Sequence, residues 1–327
     1  MSSLCIALVA GCDREFGGDP VAPTLAADPT HSNPLVPGTR VRMLVPAGAE
    51  PPAGFYGFAW SAAGASIMII EMPTPYRDTV GGLTREGLAG GNMTFVDSEP
   101  IDVSGFEGIL IDVQQRFNDV DYAKWLLVSG DGSHTLLITA SYPDSNAAEF
   151  REPLRAALMS ATWDPTLAID QYAGLDWTIE PPEGLHLIES PGAFLMYTES
   201  GEVSPADRGA PLYVVAPSMG RTEITNIRAT AEQEVLGLAQ VTGIEIEQSR
   251  VFTLAELDRV APNQFRGWEI VAHARDLDTG IELVVHQVMI MSASGYVRMV
   301  GLVGVPGRAV WVERFRVTAR SWRRRAL

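Results

Sequence analysis

Apolar and polar positions along residues 40–325 follow one order twice. The first copy opens with Arg40-Val41-Arg42-Met43-Leu44-Val45-Pro46-Ala47-Gly48 and the second with Leu175-Asp176-Trp177-Thr178-Ile179-Glu180-Pro181-Pro182-Glu183-Gly184. Each predicts an extended segment that Pro and Gly close into a turn. An apolar run follows, Ser66 to Met72 and then Leu212 to Ala216, composed like a buried strand. A stripe at helical spacing comes next: Tyr76, Val80, Leu83 and Gly87 in one copy, Ile227, Ala231, Val235, Leu238 and Val241 in the other. Four strands are then expected in each, 94–103, 107–116, 122–128 and 135–142, against 244–252, 267–275, 281–291 and 296–303. Gly130-Asp131-Gly132, Asp278-Thr279-Gly280 and Ser294-Gly295 supply the positive-φ residues that tight turns require. An amphipathic helix closes each copy, on Phe150, Leu154, Ala157, Leu158 and Ala161 and on Trp311, Phe315, Thr318 and Trp322. Pro153 fits the first of these only where a helix begins.

Strand, helix, meander, helix is an α+β order, with an antiparallel sheet that buries its faces under helices. The expected domains are residues 39–165 and 174–325, joined by a linker at 164–174. Ahead of them, Pro20, Pro23, Pro29, Pro34 and Pro37 mark residues 13–38 as an extended tether. At ~3.1 Å per residue it reaches roughly 80 Å.

The first twelve residues point to a membrane surface. Leu4 to Ala10 is an apolar run, and Val9-Ala10-Gly11-Cys12 resembles a bacterial lipoprotein signal, cut before a cysteine that carries the lipid. No Lys or Arg precedes the run, so the signal is short at its basic end, as a start codon placed too far downstream would leave it. The resemblance makes Cys12 the lipid attachment site, discards Cys5, and leaves no free thiol and no disulfide. No later apolar stretch approaches the ~18–20 residues that span a bilayer. The expected place is therefore the bacterial cell envelope, with the protein held at a membrane by lipid and facing the periplasm or exterior.

The element order, taken with that signal, resembles the PsbP-like fold. The resemblance covers nearly all of residues 39–325 as two tandem α/β/α sandwich domains. It rests on order and on no diagnostic motif. It implies a non-catalytic binding or assembly protein, brings no catalytic residues and implies no cofactor.

Charge sharpens the choice of partner. The net charge is −16 over 327 residues, which repels nucleic-acid phosphates and anionic headgroups. The one basic cluster, Arg320-Ser321-Trp322-Arg323-Arg324-Arg325, reads as cations at a helix C-terminus. A protein or envelope component is the expected partner, and nucleic acid is not. A small molecule held between the two domains is the alternative, and an enzyme whose site assembles only in the fold is a third.

No G-x-S-x-G, P-loop or H-E-x-x-H motif occurs. Gly130-Asp131-Gly132-Ser133-His134 brings an acid and a base together in a hairpin turn. Asp119 with Asp121, and Asp276 with Asp278, have oxygen donors for a hard cation without the spacing of a calcium loop. One pair merits a metal test. If Thr279-Gly280 were a two-residue turn, His273 would lie opposite His286, within the ~4.5–5.5 Å of cross-strand neighbours. A zinc site needs a third ligand, and no His or Cys nearby supplies one.

Overall fold

The apolar runs become two antiparallel sheets in a computed structural model that describes residues 33–52, 54–117, 119–188, 194–202, 208–218, 224–254, 266–292 and 295–325. The signal segment, Cys12 and the tether up to residue 32 lie outside the described residues. The chain divides into two units, Met1–Gly174 and Leu175–Leu327.

In the first unit, β1 (Val41–Arg42), β2 (Tyr56–Trp60) and β3 (Ala65–Met72) lead into two short helices, α1 (Tyr76–Gly82) and α2 (Arg85–Gly90). The meander β4 (Met93–Val103), β5 (Phe106–Phe117), β6 (Val120–Gly130) and β7 (Thr135–Pro143) follows, then α3 (Ala147–Met159) and β8 (Thr162–Trp163). Six strands form one sheet in the order β2-β3-β7-β6-β5-β4, and β1 pairs with β8 beside it. Helices cover both faces, so β6 and β7 are apolar on both sides and read as continuous runs instead of alternating ones. Leu127, Leu136, Ile138 and Ala140 pack with Phe150, Leu154 and Leu158 of α3. Leu126, Val128 and Leu137 pack with Tyr76 of α1 and Leu88 of α2.

The second unit carries β9 (Trp177–Thr178), β10 (His186–Ile188), β11 (Leu195–Thr198), β12 (Leu212–Pro217), α4 (Ile227–Leu236), β13 (Val241–Phe252), β14 (Arg266–Asp276), β15 (Glu282–Ser292), β16 (Gly295–Gly304), α5 (Arg308–Arg320) and β17 (Arg323–Arg324). Its sheet runs β10-β11-β12-β16-β15-β14-β13, and β17 pairs with β9. Leaving out β10, this is the strand order of the first unit. Ala231 and Val235 of α4 pack with Ile270, Ala272 and Val285 on one face. On the other face Phe315 of α5 stacks on Tyr213, with ring centroids 5.0 Å apart.

Several expectations needed correction. The first helical stripe is two helices, because Gly81 and Gly82 end α1 and the Thr84 hydroxyl caps α2 by accepting from the Gly87 N–H at 3.1 Å. Val241 begins β13, since α4 stops at Leu236 before Gly237. Pro153 lies inside α3, which starts six residues earlier. The opening segments are strands of two residues each, and β2, β10 and β11 carry no alternation long enough to read. Residues 33–38, expected in the tether, belong to the first unit: Val36 is buried in its core and Asn33 Nδ2 donates to the Ser160 carbonyl at 2.8 Å. Arg323 and Arg324 follow the helix as a strand on Thr178 and Trp177.

Candidate functional site

The histidine pair fails as a metal site for a reason of register. The connection between β14 and β15 takes four residues, with the Asp276 N–H donating to the Ile281 carbonyl and the Gly280 N–H to the Asp276 carbonyl, each at 2.9 Å. His273 therefore faces Val284, and His286 faces Val271. A two-residue slip makes direct neighbours diagonal. Each ring also has its own carboxylate. His273 Nε2 lies 2.9 Å from Glu247 Oε1 and 2.9 Å from Arg308 Nη1, within the Glu247–Arg308 ion pair. His286 Nε2 lies 2.9 Å from Glu269 Oε1. Among the described residues no group of three or more His, Cys, Asp and Glu is placed to hold a metal ion.

Glu269 is the centre of the densest charged cluster under α5. It sits on β14 and is 2% exposed, and His286 on β15 is 1% exposed. Its Oε1 accepts from His286 Nε2 and from Arg316 Nε at 2.7 Å; its Oε2 accepts from Arg250 Nε at 2.6 Å. Arg316 reaches down from α5 and also pairs with Glu313, while Arg250 reaches across from β13. Burial pushes the Glu269 carboxyl up, yet the hydrogen bonds from His286, Arg250 and Arg316 outweigh it and hold the group far below the usual carboxylate range. Burial pushes the His286 imidazole down, against the pull of Glu269. With Nε2–H aimed at the carboxylate, Nδ1 carries the lone pair, and it has no hydrogen-bond partner among the described residues. A proton donor and acceptor that solvent does not reach cannot process a substrate. The cluster fastens a helix to a sheet.

Sequence reading picked out His286 but missed Glu269, Arg250 and Arg316. Glu269 interrupts the apolar run Trp268 to Ala272, a carboxylate where the period places core, and that was the available signal. Nothing along the chain says that Arg250 and Arg316 reach it.

The turn at 131–134 resembles a catalytic triad only in composition. Ser133 Oγ is 3.0 Å from His134 Nδ1, but its hydroxyl is within 2.9 Å of Asp131 Oδ1, and Asp131 lies 4.0 Å from that same ring nitrogen. A base must have a nucleophile on one nitrogen and an orienting acid on the other. Here both contact one nitrogen, and the Asp131 carboxylate accepts from the Ser133 and His134 backbone N–H groups, which hold it below its ordinary pKa. It builds a turn. The acidic pairs are engaged by arginine: Arg116 bridges Asp119 and Asp121, and Arg208 bridges Asp276 and Asp278. His186 is exposed on β10.

A second feature recurs in both units. β4 and β13 are the last strands of their sheets. They run 11 and 12 residues and are largely exposed. Among the described residues each has one neighbouring strand, β5 or β14. Asp97, Glu99 and Asp102 line β4, and Glu245 and Glu247 line β13, with Val96 48% and Val251 66% exposed among them.

No family model matches the chain, and no curated protein matches it. Among solved structures, the immunity protein TplEi of the type VI secretion system of Pseudomonas aeruginosa, complexed with a peptide, aligns at 13% identity over 91% of this chain and 99% of its own, with a TM-score of 0.34. The Tle4–Tli4 complex aligns at 13% identity over 88% and 95%, with a TM-score of 0.35. Cyanobacterial PsbP (CyanoP) of Synechocystis sp. PCC 6803 aligns at 11% identity over 47% of this chain and 100% of its own, with a TM-score of 0.30. Likeness at this level assigns no activity and no partner.

Proposed function

We propose that the chain is a non-catalytic binding lipoprotein of the bacterial envelope, with two PsbP-like units held at a membrane through Cys12 and engaging a protein partner. The observation that carries the binding half is the pair of long, exposed edge strands, β4 and β13, at equivalent edges of the two sheets. An edge strand offers a row of N–H and C=O groups to a partner's extended segment, and that mode of recognition needs no catalytic residue. Asp97 and Asp102 on β4 and Glu245 on β13 oppose pairing between copies of this chain and suit a basic segment, whereas Glu99 and Glu247 are matched by Arg155 and Arg308 of their own units. The anchoring half rests on Val9-Ala10-Gly11-Cys12.

The test is capture from envelope extract on the purified body, in parallel with Val96→Lys and Val251→Lys. A protein retained by the unaltered body and lost from the edge variants supports the reading. Capture that ignores both substitutions, or no capture, refutes it. For the anchor, Cys12→Ser in a chain with a complete signal moves the protein from the membrane fraction to the soluble one; unchanged fractionation refutes that part.

A further inference from the structure

We infer that the second unit holds a proton-operated latch, in which neutral His286 and the Glu269 carboxylate keep α5 on the sheet and uptake of a proton by His286 releases it. Charged and titratable groups face the His286 ring from the strands and helix packed against it. From β14 come Glu269 and, one diagonal away, His273. From β13 come Arg250 and Glu247. From α5 come Arg316, Glu313, Arg308 and, on the far side of Glu313, Arg320. β12 contributes Tyr213, whose hydroxyl lies 3.4 Å from the Phe315 carbonyl. β16 places Gly301 directly opposite His286, and the missing side chain leaves the space that Phe315 fills.

Around Glu269 the carboxylates are already fully matched by cations. Two carboxylates, Glu269 and Glu313, meet two guanidiniums, Arg250 and Arg316, and Arg320 adds a third at 3.9 Å from Glu313 Oε1. A second proton on His286 must go to Nδ1, which is buried and has no acceptor among the described residues. It would create an unmade donor and a third cation on one buried carboxylate, both of them costly. Lifting α5 relieves both at once, because water then reaches the ring. Phe315 stacks against His286 with centroids 6.2 Å apart, so the ring and the helix cannot be hydrated separately.

The sign follows from linkage. Burial holds the imidazole below its ordinary value of about 6.5 while α5 is down. The opened form binds the proton that the closed form excludes. Opening is therefore favoured as pH falls below about 6.5, by up to tenfold per pH unit, and the stabilisation is complete above that value. Glu269, depressed in the closed form, adds loss in the same direction at lower pH.

The first unit supplies an internal control. Tyr122 pairs with Pro143 where Leu283 pairs with Gly304, so Trp125 on β6 stands where His286 stands on β15. Arg151 of α3 lies 4.8 Å over the Trp125 ring and pairs with Asp112 at 2.6 Å. An indole in that place takes up no proton.

Hydrogen exchange of the full chain, corrected for the intrinsic pH dependence of amide exchange, tests the latch at pH 7.5 and 5.0. The expected result is a rise in the opening constant of α5 of up to about 30-fold, with α3 unchanged and with the rise abolished in His286→Gln. Equal protection of α5 at both pH values overturns the proposal. So does α3 opening in step with α5, or an acid response that survives in His286→Gln. If that variant does not fold, the His286 ring resonances of the unaltered protein are titrated by NMR beside α5 exchange. One shared midpoint below 6.5 supports the latch, and separate midpoints overturn it.

Discussion

Replacing Glu269 by Ala is the sharpest test of what fastens α5. The substitution removes the one acceptor shared by His286, Arg316 and Arg250. Breaking a buried pair by deleting one partner costs about 3–5 kcal/mol, because the remaining charge stays buried and uncompensated. The three donors do not suffer equally. Arg250 is 53% exposed and recovers water by swinging outward. Arg316 is 14% exposed and recovers it only if α5 lifts, and His286 keeps an N–H in the core with nothing to accept it. The lower end of the range, about 3 kcal/mol, is therefore expected. If the second unit melts on its own, that lowers its Tm by roughly 6–12 °C. The first unit provides the comparison. Glu99 pairs with Arg155 at its surface, both substantially exposed, so Glu99→Ala should cost less than about 1 kcal/mol. Both variants are measured by urea unfolding and scanning calorimetry at pH 7. The Glu269 penalty should shrink once pH falls below the ordinary carboxylate value of about 4.3, where the unfolded chain gains the proton that the depressed native carboxyl resists. A loss no larger than that of Glu99→Ala would refute the reasoning.

Two further outcomes follow from packing. In Gly301→Ala the new Cβ would lie 2.2 Å from Phe315 Cδ2 and 2.4 Å from Cε2, with Phe315 fully buried against Tyr213; the expected cost is about 1–3 kcal/mol in thermal unfolding, with loss of near-ultraviolet aromatic signal. Pro153→Ala restores an N–H in the middle of α3 and should stabilise the first unit by about 2–2.5 kcal/mol, the helix-interior penalty of proline (about 3 kcal/mol) less its entropic advantage in the unfolded chain (about 0.4–1 kcal/mol), read as a higher urea midpoint.

The long meander strands were legible because burial on both faces leaves a dense apolar run with glycine turns at its ends. Leu136-Leu137-Ile138 carries that signal whichever helix covers it. The short strands were not. β1 and β9 have two residues each, and what makes them strands is pairing with β8 and β17, which lie more than a hundred residues away in sequence. The histidine pair failed on the length of one turn. The Asp276 carboxylate accepts from the Asp278 and Thr279 N–H groups and from the Thr279 hydroxyl, and these bonds draw a wider loop than the Thr279-Gly280 dipeptide suggests. A local bond thus decided a register that no periodicity could fix.

The charged cluster shows how two units of the same strand order differ. Both units need a closing helix on a sheet, and each fastens it with arginines from that helix. α3 places Arg151 on Asp112 and over Trp125, and places Arg155 on Glu99. α5 places Arg316 on Glu269 and Arg308 on Glu247. In the first unit the central ring is an indole, and the contact persists across the physiological pH range. In the second it is an imidazole, and the same mechanical role depends on its proton. Two copies of one topology, alike in strand order, can therefore differ in when they hold together. That difference lives in a few side chains beneath each closing helix, Trp125 with Asp112 and Arg151 against His286 with Glu269 and Arg316.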